Sequence, residues 1–304
     1  MLDLSVIVIS YNTRELLTRC LKSVVSTVHG TSYEIIVVDN ASRDGSAEMV
    51  RRDFPRVSLI CNDVNRGFAA ANNQGIRASR GRYILLLNSD AMVMPGSIRS
   101  MVEYMDSHEE VGVVGPRLLN ADGSFQGSCA DFPSLRGEML LLTKLSKIAC
   151  PQTYPNYPPE QCRERRAVDW VSGACLMARR KAVDSVGLLD EDYFMYAEET
   201  DWCYRMREAG WKVHYLPSAK VIHWSGQSAA REPERKRSHL YGAKLLFMKK
   251  HRGPLVAAIF HLAIKLTAVA KLGLWAAVSL TPNRSHRRYA RQQVRSYAML
   301  MKEL

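Results

Sequence analysis

The chain of 304 residues has no Cys-x-x-Cys pair. Its seven cysteines, at 20, 61, 129, 150, 162, 175 and 203, are odd in number and scattered, so neither a disulfide framework nor a zinc cage is indicated and a reducing compartment fits best. No Gly-x-Gly-x-x-Gly loop occurs anywhere, which argues against hydride chemistry on a dinucleotide. Internal repeats and low-complexity tracts are missing too, and 47% apolar with 24% charged residues makes disorder a poor default. The N-terminus runs straight into a strand after Asp3 without a basic, then apolar leader, so the chain is expected to stay in the cytosol. Acidic residues are scarce in one region only. Residues 231–304 hold three against 16 Lys and Arg, whereas 1–230 hold 27 against 26, so the whole net charge of +12 resides in the tail.

What is present reads as an α/β domain. Apolar, β-branched runs predict strands at 4–10, 35–38, 57–61 and 83–87. Between them lie a helix with Leu16, Leu17, Cys20, Leu21, Val24 and Val25 on one face, a helix over 45–54 capped by Ser42 or Asp44, and a small-residue helix over 67–79. Such alternation gives a parallel sheet with right-handed crossovers. Beyond Asp90 the spacing predicts a helix over 97–107, a strand at 111–115, and an irregular Gly- and Pro-punctuated stretch to residue 160, of the kind that wraps an acceptor in enzymes. A strand follows over 168–179, with Ser172-Gly173-Ala174 allowing close backbone approach, then a helix over 197–209 and short strands at 212–216 and 220–223.

Two buried strands each end on a carboxylate, Asp39 and Asp90, which places a site along the C-terminal edge of the sheet. Ser10-Tyr11-Asn12 ends the first strand and offers backbone and a ring to a nucleobase or ribose, unless Asn12 simply caps the helix. Asp39 could accept the imide N–H of uracil or thymine, or serve as a turn carboxylate. Asn65-Arg66-Gly67-Phe68 brings a turn glycine and a cation for sugar or phosphate, with a solvated loop as the alternative. Asn88-Ser89-Asp90 supplies one hard oxygen ligand, which suits Mg2+ or Mn2+ held largely by substrate phosphates; a helix cap is the plainer reading. His223, in Val221-Ile222-His223-Trp224-Ser225-Gly226, becomes a second ligand only in company with Asp90. Glu198, Glu199 and Asp201 crowd a helix start, where the macrodipole favours anions. Glu198 and Asp201 share a face and Glu199 points a quarter turn away, so one carboxylate can serve as base while another pairs with Arg205. Tyr193, Phe194, Tyr196 and Trp202 provide apolar walls that raise a carboxylate pKa and surfaces for sugar stacking.

Taken in order, Val6 to Asn12, Val37 to Ser42, Asn65 to Phe68, Leu87 to Asp90, Gly173 to Leu176 and Tyr196 to Trp202 resemble inverting family 2 glycosyltransferases of the GT-A fold, most closely the rhamnosyltransferase-like branch, over roughly residues 4–226. The resemblance implies a GT-A catalytic domain over 1–226, with a nucleotide-sugar half to about 115 and an acceptor half from 116. It assigns Asp39 to the base of the nucleotide-sugar and Asp90 and His223 to Mg2+ or Mn2+; beside these, Ser10, Tyr11, Asn12, Asn65, Arg66, Gly67, Asn88, Ser89 and Gly173 are expected to line the nucleotide-sugar, and Asp201, Trp202 and Arg205 to support the helix and acceptor. The family's base falls at Glu199, with Glu198 as the alternative. Two departures stand out: Asn88 replaces the first acid of the family's Asp-x-Asp-type motif, and Glu replaces Asp as base. The donor implied is a dTDP- or UDP-sugar, and the acceptor a glycan or a polyprenyl-diphosphate-linked glycan in cell-surface polysaccharide synthesis.

The tail, 227–304, reads as a basic helical region. His261, Lys265 and Lys271 fall within about a third of a helical turn of the apolar segment 254–280, a pattern that suits a helix lying in the membrane interface. Arg288, Arg291 and Arg295 form a cationic stripe for anionic lipid or a lipid diphosphate. A peripheral location on the inner face of the cell membrane follows. Two competing functions are a nucleotidyltransferase, for which Ser10 to Glu15 supplies no basic Gly-rich phosphate loop, and a nucleic-acid-binding protein using its tail; nucleic acid is not the expected partner.

Overall fold

The computed structural model describes residues 2–143, 145, 156–224, 234–281 and 283–304. They form two compact units, the first of residues 2–132, 156–194 and 198–224, and the second of the remainder. The first unit opens with β1 (Leu4–Ser10), α1 (Arg14–Thr27), β2 (Tyr33–Asp39), α2 (Ser46–Asp53), β3 (Ser58–Cys61), α3 (Phe68–Ala78) and β4 (Tyr83–Asn88). It goes on through β5 (Ala91–Val93), α4 (Ser97–Asp106), β6 (Val111–Leu119), β7 (Phe125–Gln126) and β8 (Cys129–Ala130). Helix α5 (Leu135–Leu142) belongs to the second unit. The first then resumes with a 3-10 turn at Pro159–Cys162, β9 (Arg166–Ala167), β10 (Trp170–Val171), β11 (Cys175–Arg179), α6 (Arg180–Val186), α7 (Glu198–Glu208) and β12 (Lys212–His223). The second unit ends with α8 (Lys236–His251), α9 (Pro254–Val278) and α10 (Arg284–Glu303).

The main sheet runs β3-β2-β1-β4-β11-β6-β12-β5, with β7 on β6 and β9 on β12. Strands β1 to β4 pair in parallel, as do β6 and β12, while β11 lies antiparallel between β4 and β6. Two antiparallel steps restore direction, so β4, β6 and β12 all finish at one edge. Alternate β1 residues enter opposite layers: Leu4, Val6 and Val8 pack under α1 and α4, and Ile7 faces Ala69 and Ile76 of α3. Gly75 permits that contact, since a Cβ there would lie 2.5 Å from Ile7 Cγ2. With both faces covered, the strands read as continuous apolar runs, and that is why the sequence announces them.

Four details differ from the sequence expectation. The stretch 116–160 is only partly irregular: it holds β7, β8, α5 and the start of the 3-10 turn, while 144 and 146–155 lie outside the described residues. The single strand expected over 168–179 is broken at Ser172-Gly173-Ala174 into β10, which pairs with β8, and β11 in the main sheet. The two strands expected over 212–223 are one, β12, interrupted by a bulge between Leu216 and Lys220. Asp44, not Ser42, serves the start of α2, accepting the Ser46 N–H at 3.1 Å; its other oxygen accepts the Arg14 N–H of α1 at 2.8 Å.

In the second unit α5, α8, α9 and α10 share a small core around Leu142, Met248, Phe260, Ile264, Tyr297 and Leu300. Glu138 and Lys244 make a buried ion pair at 2.8 Å between α5 and α8. His261 and Lys271, expected to face water, lie on the packed side of α9: His261 Nε2 is 2.9 Å from the Leu304 carbonyl, and Lys271 sits over the Tyr297 ring. The opposite side of α9 exposes Leu255, Ile259, Leu262, Leu266 and Val269. By length and composition this helix is long and apolar enough to cross a membrane.

Candidate active site

Parallel register sets the first half of the site. Ser10 stands opposite Asp39 and Ile9 opposite Asn88, so the ends of three adjacent strands come level. Asp39 is buried; one oxygen accepts the Ser42 N–H at 3.0 Å and the other, Oδ1, has no partner. Asn12 is not a helix cap. Its backbone is left-handed, its N–H donates to Ser42 Oγ at 2.8 Å and its Oδ1 accepts the Arg43 N–H at 2.6 Å, which clamps the β1 turn to the β2 turn beside half-buried Tyr11. Ser10, Thr13 and Ser89 form a hydroxyl chain with spacings of 3.2 and 2.9 Å, tying β1 to the turn after β4.

Asn40, which sequence reasoning left without a role, organises the next loop. Its Nδ2 donates to Asn65 Oδ1 at 2.7 Å, and its Oδ1 accepts the Arg66 N–H at 3.0 Å. Asn65 is thereby turned inward, also accepting the Gly67 N–H, and Arg66 remains exposed at the rim. Gly67 has a structural reason of its own: φ is +81° and a Cβ would lie 2.5 Å from the Phe194 carbonyl.

The second half gathers around Asp90. His223 Nε2 lies 3.3 Å from Asp90 Oδ1 and 3.4 Å from Asn88 Nδ2, and all three side chains sit at the strand-end edge, Asp90 and His223 buried. Asn88 Oδ1 is buried and unpartnered. A carboxylate, an imidazole nitrogen and an amide oxygen form a donor set that fits Mg2+ or Mn2+. Among the described residues no group of three or more His, Cys, Asp or Glu gathers, so an ion here would depend on substrate phosphates and water for its remaining ligands. Ser225 and Gly226, next in the quoted motif, lie outside the described residues.

Glu198 and Glu199 open α7 directly after Tyr196 and Ala197, both held at positive φ. Glu198 is almost fully buried and Glu199 half-buried, and each has an Oε2 without a partner. Burial, followed by the charge of Glu199, pushes the Glu198 carboxyl well above the usual range. Burial also raises Glu199, against the N–H groups of Gly173 and Thr200 that hold its charged form. Gly173 thus meets Glu199 through its backbone. The adjacent Ala174 carbonyl accepts the Asn88 N–H at 3.0 Å, so two short links join Glu199 to the Asn88 strand end. Asp201, Trp202 and Arg205 point into the protein: Arg205 donates to Asp201 at 2.8 Å and to the carbonyls of Val186 and Leu188, and Trp202 Nε1 donates to the Gly187 carbonyl.

Four buried acceptors thus lack donors: Asp39 Oδ1 and Asn88 Oδ1 at strand ends, and Glu198 Oε2 and Glu199 Oε2 at the start of α7. Leaving such an atom unmade costs about 1–3 kcal/mol, and functional sites are where folds tolerate it. The sequence profile described as Glycosyl transferase family 2 matches residues 5–187 of this frame. The chain belongs to that family. Among curated relatives of this glycosyltransferase, an N-acetylglucosaminyl-diphospho-decaprenol L-rhamnosyltransferase of Mycobacterium tuberculosis is 32% identical over 250 residues, 78% of this chain and 80% of the relative. Among solved structures, a mannosyltransferase from Pyrobaculum calidifontis in complex with GDP-Man and Mn2+ superposes with a TM-score of 0.57 at 20% identity, covering 100% of this chain and 89% of that one. GalNAc-T7 with UDP, GalNAc and Mn2+ gives 0.55 at 18% identity over 73% of this chain, which spans only 43% of that protein. The fold is the α/β GT-A type, a mixed, largely parallel sheet flanked by helices.

Proposed function

We propose that this glycosyltransferase is an inverting, metal-dependent hexosyltransferase. In this reading it moves rhamnose from a dTDP- or UDP-sugar to a hydroxyl of a glycan or polyprenyl-diphosphate-linked acceptor during cell-surface polysaccharide synthesis. The observation that carries the reading is the gathering of Asp90, His223 and Asn88 at the strand ends, beside strand-end acceptors left without donors, and the rhamnosyltransferase name of the Mycobacterium tuberculosis relative supports the donor and acceptor. Asp39 Oδ1 accepts the imide N–H of the base, an assignment that needs an ionised carboxylate with a free lone pair. Ser10, Tyr11, Asn12 and the Asn65-Arg66-Gly67 loop line the nucleoside side, and Asn88, Ser89 and Gly173 the diphosphate and sugar side. Mg2+ or Mn2+ held by Asp90 and His223 would supply neutralisation of the departing nucleoside diphosphate.

Glu199 takes the proton from the acceptor hydroxyl as that oxygen attacks the anomeric carbon, and the configuration inverts in a single displacement. Burial raises its pKa, which makes the carboxylate a stronger base. Half-exposure favours it over the deeply buried Glu198. The exposed apolar face of α9 and the arginines of α10 support peripheral attachment to the inner face of the membrane, where a polyprenyl acceptor resides.

Glu199→Gln tests the central role. The variant should keep donor-induced thermal stabilisation while transfer falls by roughly 100-fold or more; turnover near that of the parent protein would move the base to Glu198.

A further inference from the structure

We propose that Gln126 is a positioning residue that holds His223 in its Nδ1–H tautomer, which leaves the Nε2 lone pair aimed beside Asp90 to receive a divalent cation. The inference rests on the metal-dependent reading above, but its geometric core stands apart from it.

The direction of each amide in the chain behind His223 is forced by groups that can act in one sense only. Asn120 Nδ2 lies 3.3 Å from the Phe125 carbonyl, which only accepts, so the NH2 of Asn120 faces that way and its Oδ1 faces Gln126. Gln126 Nε2 then donates to Asn120 Oδ1 at 2.8 Å and to the His223 carbonyl at 3.2 Å. These two acceptors fix the Gln126 amide and leave its Oε1 facing His223 Nδ1 at 2.7 Å. An amide oxygen only accepts, so Nδ1 carries a hydrogen; in the neutral ring Nε2 then carries the lone pair, towards which Asn88 Nδ2 also points at 3.4 Å. That lone pair stands 3.3 Å from Asp90 Oδ1, acceptor against acceptor. A cation between them turns the repulsion into ligation, and the hydrogen bond at Nδ1 fixes the ring orientation, as partners behind metal-bound imidazoles do.

Local structure exists to deliver Gln126. Strand β7 is two residues long and reaches β6 through a tight turn in which Gly123 has φ of +81° and Asp122 accepts the Ser124 N–H at 2.9 Å. Leu118 opposes Gln126 across that hairpin, near the end of β6 and the sheet edge that bears the site.

The test uses the full chain. Mn2+ binding in the presence of UDP is followed by the electron paramagnetic resonance of the free ion, and the tautomer by 15N spectra of histidine-labelled, metal-free protein at pH 8, with His223→Gln assigning the signal. The parent protein should give the Nδ1–H pattern. Gln126→Leu should lose it and weaken Mn2+ about tenfold or more, with an unchanged melting profile excluding simple misfolding. Gln126→Glu keeps an acceptor at Nδ1 and should restore most of the affinity. An Nε2–H or imidazolium pattern in the parent protein, or equal Mn2+ affinity in Gln126→Leu, overturns the proposal. Failure of the parent protein to bind Mn2+, with Asp90→Asn no different, overturns the metal reading; the tautomer then still stands or falls on the spectra.

Discussion

The two units of this glycosyltransferase apply one helical periodicity to different surroundings. In the first, α1 buries Leu17, Cys20, Leu21 and Val24 and gives Arg14, Glu15, Arg19 and Lys22 to water. In the second, α9 buries Ala257, Phe260, Ile264 and Ala268, yet its other side carries Leu255, Ile259, Leu262, Leu266 and Val269 exposed. A helix apolar on both sides is at home only where a second apolar phase meets it. Charge divides along the same line, since the excess of cations is confined to the tail and Arg284, Arg288 and Arg291 are exposed along α10. On the proposed function, the first unit would hold the donor and the second would meet a membrane surface.

If that division is right, each half can be broken without the other. Asp90→Asn should have the largest effect, cutting transfer by on the order of 100-fold, the scale of removing charge stabilisation from a transition state, and abolishing the extra thermal stabilisation that Mn2+ adds to a nucleoside diphosphate. Sedimentation with anionic vesicles should be unchanged in this variant. Vesicle binding lost together with catalysis would mean that the two units do not act separately.

The reverse experiment targets the tail. Replacing Leu255, Leu262 and Leu266 by Ser removes three exposed apolar side chains, each worth about 1.5–3 kcal/mol if fully buried in lipid, so vesicle partition should fall by roughly 100-fold or more. Replacing Arg288 and Arg291 by Ala should cost about 1 kcal/mol per residue on anionic vesicles, roughly 30-fold together, and nothing on neutral ones. Both variants should retain transfer to a water-soluble acceptor analogue; unaltered sedimentation of either would return α9 and α10 to a purely structural role.

The same contrast explains what the sequence discloses. Asp39 and Asp90 stood out because one ends a buried strand and the other follows one by two residues, and an apolar run that gives way to a carboxylate is a local signal. The pairing of Asp90 with His223 joins residues 133 positions apart; the residue reading raised it only conditionally, and the family resemblance is what implied it. Gln126 and Asn40 carried no signal at all, because an amide in a loop becomes informative only when its partners are known. The break of 168–179 into β10 and β11 was hidden for a related reason: Gly173 keeps β-like composition on both sides while its N–H is spent on Glu199. The polar residues of α9 misled in direction, since periodicity groups His261, Lys265 and Lys271 on one side without saying whether water or α10 lies there.

The smallest expected effect concerns stability within the catalytic unit. Burial and the neighbouring Glu199 raise the folded-state pKa of Glu198 above its unfolded value, so the native protein holds that proton to higher pH than the unfolded chain does. The resulting stabilisation is complete below the ordinary glutamate range near 4.5 and is lost as pH rises through the raised value. Above that window an ionised, buried Glu198 burdens the fold, and Glu198→Gln removes the burden. The variant should therefore melt a few degrees above the parent protein at pH 8, a gap of about 1–2 kcal/mol for a chain of this size, and the gap should close towards pH 4.5. A difference in melting temperature that stays constant across this range would mean that packing around residue 198, and not its charge, is what the substitution altered.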